Sequence, residues 1–164
     1  MTEPVNTKTS PKETFRAIRI LCLALVIGAV IFALIIIGLN LVIGPAMPED
    51  GRQYNTIFLA AVTGVSILFT IPALKIYKNG IVAIKNSRKP LTGKLNDYRN
   101  MLIQYMALCE GPVLFSIIVF FLTGDYRILA ITAVILLAML SRFPQKRKMM
   151  TELELDWKEQ QDLE

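Results

Sequence analysis

Polar and apolar positions along this chain fall into long blocks, not short alternations. Residues 20–43 are apolar almost without a break, Asn40 being the one strongly polar side chain among them. A block of that length crosses a bilayer as a single helix with some tilt. It is too long for the apolar core of a secretory leader and ends without a small-x-small cleavage pattern, so it reads as an uncleaved first span. Residues 44–51 (GPAMPEDG) then combine two prolines, two glycines and two acids, which predicts a short loop. A second block covers 55–76, where Thr56, Thr63, Ser66 and Thr70 recur at helical spacing. A hydroxyl stripe of this kind belongs against other helices. The third block, 100–122, is interrupted only by Gln104 and Glu110, and TGDY at 123–126 makes a tight turn into a fourth block at 126–142. The charge-free part of that last block reaches only about 20 Å at 1.5 Å per residue, so Arg127 and Arg142 are expected to snorkel outward from its ends. The pattern predicts an all-α integral membrane protein with four transmembrane helices in two antiparallel hairpins. The transmembrane domain takes residues 15–143. Residues 1–14 are polar without apolar periodicity and read as a disordered cytoplasmic lead, and residues 144–164 as a charged cytoplasmic tail of helical character.

The positive charges add direction to this picture. The chain has 18 Lys and Arg against 13 Asp and Glu, a net charge of +5. Sixteen of the eighteen positives fall in the N-terminal flank, in 75–99 or after residue 141, and only Arg52 and Arg127 fall in the other two turns. Basic residues stay on the cytoplasmic side, so both termini are expected there, in a cell (inner) membrane. Within 75–99, Leu74, Tyr77, Ile81 and Ile84 alternate with Lys78, Lys85 and Arg88, which predicts a short basic amphipathic helix ended by Pro90 and Gly93. Lys75, Lys78, Lys85, Arg88 and Lys89 are then the candidates for contact with anionic lipid headgroups, and nucleic acid is not an implied partner. In the tail, Thr151-x-x-Glu154 has the form of a capping box, and Leu153 with Trp157 gives a small apolar edge. Two uses fit this acidic segment: a solvated terminal helix, which is favoured because exposed charge pairs contribute little, or docking on the basic loop or a partner.

Glu110 is the residue that the blocks isolate. It stands near the middle of the third span, with Pro112 two residues on. A charge in hydrocarbon is costly and marks a functional candidate by default. Pro112 removes one backbone donor and collides with the carbonyl of Leu108, so a bend is expected there, as at Pro72 in the second span. A neutral carboxyl beside a loosened backbone can load and unload a proton or hold a cation. Gln104, Thr63 and Ser66 are the candidate polar neighbours. The plainer alternatives are buried hydrogen-bonding glue, a pair with a cation of another subunit, or a shallower position than the count gives. Enzyme chemistry is not indicated. The chain has no histidine, and no Walker, nucleophile-elbow, zinc-protease or paired-cysteine motif. Cys22 and Cys109 have no metal-type spacing. Neither a cofactor nor a metal is implied.

The segment Ala107-Leu108-Cys109-Glu110-Gly111-Pro112-Val113-Leu114-Phe115 resembles the glutamate-bearing helix of the rotor-ring proteolipids of ion-translocating ATPases, whose four-helix form is of similar size. That resemblance implies an ion-carrying role for Glu110. The whole-chain pattern looks most like small four-span bacterial inner-membrane proteins, which implies location and not activity. Two functions are carried forward. One is a proton- or cation-linked translocation component using Glu110, working as a homo-oligomer because four helices enclose little volume. The alternative is a non-transporting scaffold or accessory subunit that binds lipid or a partner membrane protein through its basic loop and acidic tail.

Overall fold

The computed structural model describes residues 11–47 and 54–154. Five helices follow one another: α1 Pro11–Ile43, α2 Asn55–Lys85, α3 Leu91–Thr123, α4 Tyr126–Ser141 and α5 Lys146–Glu152. Among the described residues there is no strand. α1, α2 and α3 are each long and apolar enough to cross a membrane, and α4 with α5, bent by 73° against one another, together meet the same measure. Their outward faces are apolar as well: Leu41, Val42, Leu68, Val134 and Leu137 are all exposed. In water such a surface would be unfavourable, so it points to a membrane location.

α3 is the hub. It packs on α2, α1 and α4, most extensively on α2, whereas α1 and α2 make at most grazing contact. The expected first hairpin is therefore not a packed unit. α1 lies instead beside α3, burying Ile18, Cys22, Val26 and Ala29 in the same cluster as Leu102, Met106, Cys109 and Val113. The chain after α1 holds it there. Ala46 and Met47 donate backbone N–H bonds to the carbonyls of Phe121 and Leu122, at 3.1 and 2.9 Å, and the Asn40 amide reaches the Phe121 carbonyl at 3.4 Å. These are the final carbonyls of α3, which have no acceptor role left within the helix. Gly124, at φ 67°, closes α3 and turns the chain into α4, and its N–H bonds to the Phe120 carbonyl at 2.8 Å. Asp125 caps α4 by accepting from the Arg127 N–H at 3.0 Å. Between α3 and α4 the Ser116 and Thr132 hydroxyls lie 2.6 Å apart in full burial.

Several local expectations change. No separate amphipathic helix occupies 75–99: α2 runs through Lys85 and α3 starts at Leu91, leaving 86–90 as the connection. The apolar positions read as an interfacial face continue the core stripe of α2, since Tyr77 and Ile84 are buried against Leu95 and Tyr98. Pro90 is the N-cap of α3, and Gly93 lies inside that helix. The connection tightens because Gly80 lets the helices approach. A Cβ there would stand 2.5 Å from Cγ and Sδ of Met101. α2 and α3 both continue through Pro72 and Pro112 as single helices. Helix also reaches back into the predicted lead, where Thr14 is buried; residues 1–10 lie outside the described residues. Along α1, Ala29 is buried and Ala33 half-buried, while Ala24 and Gly28 are exposed.

The tail departs most. α5 folds back under the bundle with Met149 and Leu153 buried in the main core. α5 is thus docked, while most of the acidic segment expected to form a terminal helix, residues 155–164, lies outside the described residues. Glu152 accepts a hydrogen bond from the Tyr77 hydroxyl at 2.8 Å, and Glu154 pairs with Lys85. Thr151 is no cap: it sits in the last turn and donates back to the Arg147 carbonyl at 3.0 Å. Trp157 lies outside the described residues.

Candidate functional site

Glu110 is on α3, thirteen residues before its end, hence about 20 Å from that end. Gln104, Ala107, Gly111, Phe115 and Ile118 form the exposed stripe of this helix, and half-buried Glu110 stands at the stripe's edge beside Ile103 and Leu114. The stripe exists because α3 has neighbours on three sides only. The gap between α1 and α2, which do not pack on one another, leaves the fourth side open. In front of Gly111 there is open space. Among the described residues no hydrogen bond or ion pair reaches the Glu110 carboxyl. Next to it, Pro112 carries no N–H, so the carbonyl of half-buried Leu108 lacks its usual helical donor.

The polar residues expected around Glu110 are elsewhere. Thr63 and Ser66 of α2 line a groove between α2 and α4 with Thr70, Ile131 and Val134. This groove measures about 420 Å³ and is almost wholly apolar. Thr63 donates back to the Leu59 carbonyl at 2.8 Å. Among the described residues, the buried hydroxyls of Ser66 and Thr70 have no hydrogen-bond partner. Gln104 is exposed two turns from Glu110 and borders a cavity of about 400 Å³ between α2 and α3, next to Asn100 and to the Lys89–Asp97 ion pair of 2.6 Å. Lys75, Lys78, Lys85, Arg88 and Lys89 are all exposed around the end of α2 and the connection to α3.

A second polar constellation gathers at that same end, from residues not grouped by their spacing. Tyr77 of α2, Tyr105 of α3, Arg142 after α4 and Glu152 of α5 converge. The rings of Tyr77 and Tyr105 are 5.5 Å apart, the Arg142 guanidinium lies 4.8 Å over the Tyr77 ring, and the Tyr105 hydroxyl donates to the Ala138 carbonyl at 2.9 Å. Arg142 does not simply reach outward from the end of α4, because the elbow into α5 turns it back onto an aromatic face. The signal available in the sequence was the tyrosine pair Tyr98 and Tyr105, seven residues apart on one face of α3.

Among the described residues no group of three or more His, Cys, Asp or Glu could hold a metal ion. Both cysteines are free and buried. Glu110 is thus a single carboxyl with room before it, able to exchange a proton or meet one cation together with groups from outside this chain. Compared with protein-family models, with curated proteins and with solved structures, the chain matches none.

Proposed function

We propose that this chain is a small multi-pass membrane protein that moves a proton or a cation, with Glu110 as the carrier. One observation carries the reading: a half-buried carboxyl midway along a membrane-length helix has no partner among the described residues and borders the exposed stripe. An unpaired carboxylate is costly at that depth unless it exchanges its charge. The missing polar neighbours would come from a second copy or a partner membrane protein, since Thr63 and Ser66 face α4. The distribution of Lys and Arg supports an inner (cytoplasmic) membrane with both termini inside.

The test joins chemistry to transport. A hydrophobic carbodiimide should label Glu110, and Glu110→Gln should abolish both the labelling and the ion flux of reconstituted vesicles. Full flux in Glu110→Gln would remove the carrier. The other reading, a scaffold or accessory subunit, draws on the exposed basic surface of Lys75, Lys78 and Arg88. It is favoured if Glu110→Gln is silent in cells while deletion of residues 151–164 is not. A C-terminal reporter fusion should report the cytoplasmic side, and an external signal would overturn the four-span topology.

A further inference from the structure

Between α2 and the elbow from α4 into α5 lies a cavity of about 480 Å³, bordered by Tyr77, Lys78, Arg142 and Glu152 and, on its apolar side, by Leu74 and Val82. We propose that this cavity binds the phosphate of a glycerophospholipid, with Arg142 as its principal ligand.

The argument begins with Arg142. Its guanidinium is half-buried and stacked on Tyr77, yet among the described residues it makes no hydrogen bond and no ion pair. A planar fork of five donors held rigid by an aromatic face and left unsatisfied fits the oxygens of a phosphate. Lys78, one residue after Tyr77, adds a second cation at the rim. Glu152 is not that partner: its carboxylate accepts from the Tyr77 hydroxyl at 2.8 Å and, among the described residues, forms no ion pair with Arg142. It does set the charge. Two cations and one carboxylate leave a single net positive charge, which matches a phosphodiester better than a doubly charged monoester.

The remaining wall identifies the source of that phosphate. Leu74 and Val82 are exposed hydrophobic residues, 39% and 52% accessible, on the outer side of the same helix. They continue the apolar surface of α2, so an acyl chain lying on that surface would bring its headgroup to Lys78 and Arg142. A basic pocket between helices at the end of a membrane bundle is the setting in which lipid headgroups are held. The 480 Å³ volume is in the range of small-molecule sites.

The full-length protein in a non-ionic detergent is the material for the test. Three probes are offered at equal concentration: dioleoylphosphatidylglycerol, dioleoylglycerol, which has the chains without the phosphate, and inorganic phosphate. The expected result is one retained phosphatidylglycerol by native mass spectrometry and a rise in melting temperature given by that lipid alone. Arg142→Gln should cut retention at least about fivefold and Lys78→Gln about threefold, while Arg99→Gln, at an exposed position of α3 outside the cavity, should leave it unchanged. An equal rise with dioleoylglycerol overturns the phosphate contact, and an equal rise with inorganic phosphate overturns the lipid. Should Arg142→Gln fail to fold, Lys78→Gln at an exposed position decides, and undiminished retention in that variant overturns the site.

Discussion

Ser66 and Ser116 are both buried, 7% and 0% accessible, and differ in what their hydroxyls meet. Ser116 donates to the Val113 carbonyl at 2.8 Å and lies 2.6 Å from the Thr132 hydroxyl. Ser66 has no partner among the described residues. A buried hydroxyl without a hydrogen bond costs roughly 1–3 kcal/mol, whereas a satisfied one contributes about 1 kcal/mol. Ser66→Ala should therefore raise the unfolding free energy in detergent by about 1 kcal/mol, and Ser116→Ala should lower it by about the same amount. Loss of stability in Ser66→Ala equal to that in Ser116→Ala would mean that a group outside the chain satisfies Ser66 in the groove between α2 and α4. Glu110 was legible for the reason that Ser66 was not. One charge in a long apolar block stands out in the sequence, but a serine at helical spacing looks the same whether it faces a carboxyl, a hydroxyl or a gap.

At the scale of elements, α4 is the shortest of the four principal helices and depends on its cap. Asp125 accepts from the backbone N–H of Arg127 at 3.0 Å and pairs with its guanidinium at 2.9 Å. The Arg127 side chain, more than its backbone N–H, holds the Asp125 carboxyl below its ordinary value. A carboxyl depressed by folding stabilises the protein above its unfolded value of about 3.9 and loses that contribution as pH falls through the lower folded value. The acid limb of a stability–pH profile should therefore be shallower below about pH 4 in Asp125→Asn, which keeps an acceptor for the cap and removes the titration. An unchanged acid limb would assign it to other carboxyls. The boundaries of α2 and α3 were less legible than the turn at 123–126. Hydropathy falls across 75–99 because Lys78, Lys85 and Lys94 share turns with core residues, yet Tyr77, Ile84, Leu95 and Tyr98 continue the buried stripe. Charges at the outer faces hid helix continuity. Docking of α5 was hidden for a related reason, since Met149 and Leu153 are isolated among charged residues and acquire meaning only against Tyr77 and Tyr98 from other helices.

For the molecule as a whole, the consequential finding is that chain order and packing order differ. Sequence pattern leads to pairing of neighbours, α1 with α2 and α3 with α4, because short turns ordinarily join antiparallel partners. The second pairing holds and the first does not: α1 is fixed by α3 and by the bonds from Ala46 and Met47 to the end of α3. Covalent continuity between α1 and α2 should then be dispensable. Membrane helices that are independently stable associate through packed faces and do not require the loop that joins them. Residues 1–50 and 51–164, produced together as two pieces with a tag on one, should copurify from detergent extracts. The contact responsible can be tested on the same pieces. Ala29 is 2% accessible and belongs to the main core, whereas Leu34 is 61% accessible. Ala29→Leu overpacks that interface at a cost of about 1–3 kcal/mol and should deplete the copurified piece severalfold, while Leu34→Ala should leave it unchanged. Copurification that survives Ala29→Leu but is lost with Leu34→Ala would place α1 on a different face. Failure of the unmodified pieces to associate would show that the 44–51 connection, and not α3, keeps α1 in the bundle.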